Sequence, residues 1–335
     1  MAPRRDRRGG RRRLRLPDTG ATAQDRVDGP VTTDSRELVA GGVFVAKRGE
    51  FDDGHRFVPA AVDAGAALLI VEEGQPVDVP QIVVDDSVDA LGRLATEVVA
   101  RVRALGRLRI VGVTGSNGKT TTKNLLRTVL ERVGETVAAR KSFNNEVGAP
   151  ITMLELTEST EFLVAEMGAS GVGEIARLIR MARPDVGIVL KVGLAHAGEF
   201  GGIEQTVRAK SEMVTELLDT DVAVLNAGRP ARRADGGAHA RPCGALRARR
   251  RGGRPCERHP CARPGTEFTV TVPGGESATV AFGVLGEHHI MNALAAIAAA
   301  RELGCPSPTS SPRWNPSPSP STAAWRCSAG ATTSR

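Results

Sequence analysis

Apolar positions along this chain recur with two periods, and the change from one to the other marks out its elements. From Val27 onward, Gly41–Ala46 reads as a strand after a turn, and Phe57–Ala64 as a helix. Ala67–Val71 and Gln81–Val84 read as two further strands. Leu91–Val102 carries Leu91, Leu94, Ala95, Val98 and Val99 on one helical face. From Leu108 to Ala227 short β-branched runs alternate with helical patterns. The strands fall at Leu108–Val113, Thr136–Ala139, Phe162–Glu166, Val186–Val192 and Val222–Asn226, and the helices at Lys119–Val133, Gly173–Met181 and Ile203–Leu218. This alternation predicts a parallel sheet covered on both faces. The period then disappears between 228 and 265. It returns as a hairpin around Pro273-Gly274-Gly275, and then as an alanine-rich helix over Leu294–Leu303.

These patterns predict an α/β protein: a small N-terminal α/β domain over 27–104 and a central doubly wound domain over 105–304. Residues 1–26 and 305–335, and the stretch 228–265 inside the central domain, are rich in Arg, Pro, Ala, Gly and Ser, and are expected to lack structure.

Charge changes the picture little. The 335 residues carry a formal net charge of +7, with arginine concentrated at Arg4–Arg15 and again over 229–263. Aromatic residues are 3% of the chain and tyrosine is absent, so these basic stretches lack the stacking surfaces of a nucleic-acid binder. No apolar run is long enough to span a bilayer, and the N-terminal arginines lead into no apolar signal segment. Cys256, His259 and Cys261 match no zinc spacing. A cytoplasmic, reduced protein without membrane insertion is the expectation.

The chemistry concentrates at Thr114-Gly115-Ser116-Asn117-Gly118-Lys119-Thr120-Thr121, set between a strand and a helix start. That geometry aims backbone N–H groups and a positive helix end at a phosphate. Gly115 and Gly118 permit close approach, Lys119 can reach β/γ-phosphates, and the Thr120 hydroxyl can ligate Mg²⁺. Val113 stands where the strict phosphate-loop pattern has its first glycine. Glu166 ends a strand at the same edge, suited to hold Mg²⁺ or simply to be solvated. His196 is a second metal ligand or a loop histidine, and Lys210 reads as a solvated helix lysine. Asn144 and Asn145 are turn formers, or amides suited to reading a sugar or uracil edge.

Taken together, several motifs resemble the Mur ligase family of cell-wall synthesis. They are T-G-S-N-G-K-T-T-T-K (114–123), F-N-N-E-V-G-A-P (143–150), E-M-G-A-S-G-V-G-E-I (166–175), A-R-P-D-V-G-I-V-L (182–190), V-G-L-A-H-A-G-E-F-G (192–201), A-K-S-E (209–212) and G-E-H-H-I-M-N-A-L-A-A (286–296). D-S-R (34–36) and D-G-H (53–55) are similar to the family's N-terminal UDP-binding domain. Folylpolyglutamate synthases share the loop but neither F-N-N-E-V-G nor that first domain.

The resemblance implies an ATP-dependent amide ligase. It lies nearest the members that join D-alanyl-D-alanine to UDP-N-acetylmuramoyl-tripeptide through an acyl phosphate, with ATP as substrate and Mg²⁺ as cofactor. It implies nucleotide binding by Gly115, Ser116, Asn117, Gly118, Lys119, Thr120, Thr121 and Asn292. Thr120, Glu166 and His196 match metal positions, and Lys119, His196 and Lys210 match catalytic ones, with Lys210 at the lysine that can be carbamylated. Ser35, Arg36, Asn144 and Asn145 match positions on the UDP-substrate side. A monomer is expected.

The departures are equally specific. Lys191 replaces a usual Asn, Gly228-Arg229-Pro230 interrupts the motif begun by Asn226-Ala227, and the family's C-terminal Rossmann-like domain is expected to have no counterpart in these residues. The compositions of 1–26, 228–265 and 306–335 fit out-of-frame translation of a GC-rich gene. On that reading, the 335 residues alone are expected to bind nucleotide and UDP-sugar without turnover.

Overall fold

The computed structural model describes residues 12–17, 22–49, 52–139, 141–193, 202–225, 247–250, 266–271, 277–282, 287–305 and 325–328. The chain divides into two compact units, one made of residues 1–101 and 146–156 and the other of 102–145 and 157–335.

The first unit contains β1 (Arg12–Arg15), β2 (Val31–Thr32), β3 (Val43–Val45), α1 (Val58–Asp63), β4 (Leu68–Val71), β5 (Gln81–Val84) and most of α2 (Ser87–Ala104). Its sheet runs β1-β5-β4-β3-β2, parallel except for β1, which pairs antiparallel with β5. Alternate residues serve opposite faces, as the pleat demands. Phe44 and Ala46 pack with Val58, Ala61, Leu69 and Val71 on one side. Val43 and Val45 pack with Ile70, Val84 and Leu91 on the other. Burial on both faces explains why β3 and β4 read as unbroken apolar runs.

The second unit contains β6 (Arg109–Thr114), α3 (Lys119–Leu130), β7 (Thr136–Ala138), β8 (Phe162–Glu166), α5 (Glu174–Ala182), β9 (Val186–Val189), α6 (Ile203–Thr215) and β10 (Val222–Leu225). Between β7 and β8 the chain makes α4 (Gly148–Met153), which belongs to the first unit, where Val147, Ile151 and Leu154 pack on the Val43–Leu91 face. Six residues with a proline at the third position give no helical period, so the sequence did not announce α4.

The first sheet of the second unit is wholly parallel, in the order β10-β9-β6-β8-β7. The chain leaves β6 toward β7, returns through β8 to one side of β6, and crosses to β9 on the other. The order therefore reverses at β6, and in open α/β sheets the crevice beyond the strand ends at such a reversal takes the ligand. Asp185 anchors the crossing at the opposite end. Its carboxylate accepts the Ile110 N–H at 2.7 Å and pairs with Arg103 and Arg109 at 3.1 and 3.2 Å.

Downstream lie β11 (Arg247–Arg250), β12 (Thr266–Thr271), β13 (Ser277–Phe282), α7 (Glu287–Glu302) and β14 (Trp325–Ser328). The four strands form an antiparallel sheet in the order β11-β12-β13-β14. β1, β11 and β14 thus fall within the three segments of biased composition. Each is a strand at a sheet edge, and an edge pairs through backbone N–H and C=O groups, which need no apolar period. α7 is longer than its apolar stretch because its first turns are the polar Glu287-His288-His289. It packs on α3 through the core that joins Leu126, Leu130, Ile290, Leu294 and Ile297. Among the described residues no helix is long and apolar enough to cross a membrane.

Candidate active site

The loop between β6 and α3 lies at the carboxyl edge of the sheet, at the reversal. Gly118 caps α3 with φ +89°, a conformation that costs an L side chain but not glycine. A Cβ there would also lie 2.4 Å from the Asn292 Oδ1 atom, so α7 presses an amide side chain onto the loop. Gly118 has no side chain with which to cap the first turn of α3, so the cap residue leaves the leading N–H groups open to a ligand. Ser116 fixes the other side of the loop. Its N–H reaches the Lys191 carbonyl at 3.0 Å, its hydroxyl donates to the Gly193 carbonyl at 3.1 Å, and it accepts the Gly193 N–H at 3.0 Å. Asn117 at the tip is exposed and Thr121 is half-buried.

Glu166, at the end of β8, is 1% exposed. One carboxylate oxygen accepts the Thr120 hydroxyl at 3.0 Å, and the other accepts the Asn144 amide at 2.9 Å. The Lys123 ammonium stands 3.7 Å from the Thr120-bound oxygen and donates to the Lys141 carbonyl at 3.0 Å. Lys119 folds back on its own loop, donating to the Gly115 carbonyl at 2.9 Å. Burial holds both lysines below the usual ammonium range, while Glu166 pulls each back up.

Lys210 is buried on α6 instead of lying on a solvated face, because its helix packs inward at Ala209 and Met213. Burial, and then the charge of Lys119, push its ammonium down to about 8, against the opposing pull of Glu174 and Glu212. Glu212 itself is buried as the N-terminal cap of α5, accepting the Gly173 and Ala176 N–H groups at 2.5 and 2.9 Å.

The second unit therefore brings Lys119, Thr120, Glu166, Asn144, Lys210 and Asn292 into one neighbourhood with the glycine loop. Ser35 and Arg36 are in the first unit, on the turn after β2, where the exposed Arg36 guanidinium pairs with Asp34 at 2.6 Å. Asn145 is exposed, and His196 lies outside the described residues. Three contributors escaped the sequence reading. Lys123 was signalled only by its spacing of four from Lys119, which puts both on one helical face. The hydroxyl bridge from Ser116 and the capping role of Glu212 had no local signal, since their partners are distant in the chain.

Comparison with known proteins extends this geometry. Residues 113–300 match the model of the Mur ligase middle domain, and residues 30–105 match the model described as Mur ligase family, catalytic domain. The chain belongs to the Mur ligase family. Within that family it is 37% identical over 317 residues to the UDP-N-acetylmuramoyl-tripeptide--D-alanyl-D-alanine ligase of Mycobacterium leprae, covering 84% of this chain and 60% of the relative. The enzyme of the same name from Escherichia coli is 35% identical over 280 residues, with 82% and 60% covered.

Two solved Mur ligases are similar in structure. MurF from Acinetobacter baumannii superposes with a TM-score of 0.70 at 32% identity, covering 84% of this chain and 61% of that one. MurF ligase from Thermotoga maritima in complex with ADP gives 0.68 at 29% identity, covering 84% and 64%. The chain spans about 60% of the length of the curated relatives it matches.

Proposed function

We propose that the second unit binds ATP at the β6–α3 loop and serves an amide ligase that joins D-alanyl-D-alanine to UDP-N-acetylmuramoyl-tripeptide. The observation that carries this reading is the charge layout: uncapped helix amides, Lys119 and Lys123 beside one buried carboxylate, and the charge of Lys119 felt by Lys210, an arrangement suited to a polyphosphate. The names of the relatives and the ADP complex of the Thermotoga maritima neighbour support it.

A carboxylate is a poor electrophile, so it must first be activated. The terminal carboxylate of the tripeptide attacks the γ-phosphorus; the new O–P bond forms as the β–γ bridge breaks, and ADP leaves. The amine of D-alanyl-D-alanine then adds to the acyl carbon, loses a proton, and expels phosphate as the amide forms. In the first step two anions must approach. The loop amides and Lys119, once it releases the Gly115 carbonyl, offset that repulsion.

Thr120 and Glu166 offer a hydroxyl and a carboxylate 3.0 Å apart, hard oxygen donors that fit Mg²⁺. Bound there, the ion would neutralise phosphate charge. Asn144, hydrogen-bonded to Glu166, links the substrate-handling turn to that carboxylate. Asn292 stands on the adenine side of the loop, and Ser35 and Arg36 serve the UDP moiety in the first unit. With its ammonium pushed down to about 8, Lys210 reaches the neutral amine that adding CO₂ requires at a lower pH than an ordinary lysine, and carbamylation would turn it into a second carboxylate.

The test is ADP release with ATP, the tripeptide substrate and D-alanyl-D-alanine. Amine-dependent release supports the ligase. ATP binding without it leaves a nucleotide- and UDP-sugar-binding module, and absence of ATP binding overturns the reading.

A further inference from the structure

Lys123 has no part in the reaction above, yet its setting is unusual for a lysine. Its side chain is 1% exposed, one helical turn beyond Lys119. Lysine is almost never fully buried without a partner, because withdrawing an ammonium from water costs more than ordinary contacts return. Here the partner is Glu166, itself 1% exposed. The Lys123 ammonium lies 3.7 Å from the same oxygen that accepts the Thr120 hydroxyl, while the second oxygen is taken by Asn144. The donation to the Lys141 carbonyl at 3.0 Å fixes the ammonium in that position.

The carboxylate that would hold a metal thus already has its charge matched from within α3. A divalent ion arriving alone would have to shed water and approach an ammonium in return for half-neutralised ligands. An ion arriving on a nucleotide brings its own anions, which is how Mg²⁺, reluctant to dehydrate, is usually held.

Resting on the nucleotide-site reading, we propose that Lys123 occupies the place of the metal's charge in the nucleotide-free protein. A divalent cation then enters at Thr120 and Glu166 together with the phosphates, not before them. Lys123 is a positioning residue acting through Glu166. Because binding free energies are reciprocal, the metal raises nucleotide affinity by the same factor as the nucleotide raises metal affinity, roughly 5–150-fold for ordinary coupling between sites.

The experiment titrates Mn²⁺ into the protein with and without ADP and reads free ion by electron paramagnetic resonance. The native chain and K123R should bind Mn²⁺ weakly alone and at least about fivefold more tightly with ADP. K123M, which keeps the apolar stem, and K123Q should bind Mn²⁺ without nucleotide, erasing most of that ratio, and adding E166Q should remove the gained site. A native chain that binds ADP yet takes up Mn²⁺ equally well without it overturns the role of Lys123 without recourse to any variant. So does a gain in K123M that survives E166Q, or no gain in folded K123M and K123Q. A native chain that binds no ADP at all overturns the nucleotide site itself.

Discussion

Replacing Gly118 with alanine strains the candidate site in two separable ways. The backbone at 118 sits at φ +89°, and the new methyl would meet the Asn292 amide, with Oδ1 at 2.4 Å, Nδ2 at 2.8 Å and Cγ at 2.9 Å. The left-handed conformation costs an alanine about 1–2 kcal/mol. Displacing the 6%-exposed Asn292 side chain adds about 1–3 kcal/mol, the ordinary cost of overpacking. Native stability is commonly only about 5–15 kcal/mol, so G118A should lower the melting temperature by several degrees.

A double-mutant cycle divides the two terms. In an N292A background the clash is gone and only the backbone cost remains, so the cycle should show a coupling of about 1–3 kcal/mol, the size of the clash term. The loop amides shift with the methyl, and ADP affinity, read by anisotropy of a fluorescent nucleotide, should fall at least about tenfold, or 1.4 kcal/mol. If G118A melts with the native protein, or costs as much with Asn292 present as without it, α7 does not press on the phosphate loop.

Three further predictions follow from the same geometry. T120A removes one oxygen donor beside Glu166, so nucleotide affinity should fall roughly tenfold in Mg²⁺ and remain unchanged in EDTA; equal loss in both would deny the hydroxyl a role toward the metal. E212A strips two N–H groups of α5 of their acceptor, and chemical denaturation should register a loss of about 1–3 kcal/mol, part of it recovered by E212Q. Lys210 has a folded pKa of about 8 against an ordinary 10.5. Between those values the unfolded chain holds a proton that the folded chain has released, so this group makes stability rise with pH across that window. The gain is about 3 kcal/mol, and below about pH 8 the full penalty of the buried ammonium persists. K210M should therefore be more stable than the native chain near neutral pH and lose that rise; a parallel pH profile would place Lys210 in solvent.

The phosphate loop was legible because its function is local: strand, glycines, lysine and threonine lie within a dozen residues, and backbone geometry alone aims their amides. The five strands of the parallel sheet were legible for a similar reason, since burial on both faces leaves unbroken apolar runs such as Phe162–Ala165. Glu166 could be placed at the correct edge by topology, but not told from a solvated acid. Lys210 was misjudged on the residues alone, since a helix position flanked by Ala209 and Ser211 shows no clear inward face, and burial depends on what the opposite element supplies.

By itself, then, the order of residues determined which segments become strands and helices and where a phosphate could be gripped, since both depend on neighbours a few positions apart. Only the tertiary structure decided that Asn292 of α7 meets Gly118, that Glu212 caps a helix almost forty positions earlier, and that Lys123 rather than solvent balances Glu166. Each of these is a matter of charge or shape matched across distant segments. Packing chooses such partners when the sheet closes, and no period or motif in the chain encodes them.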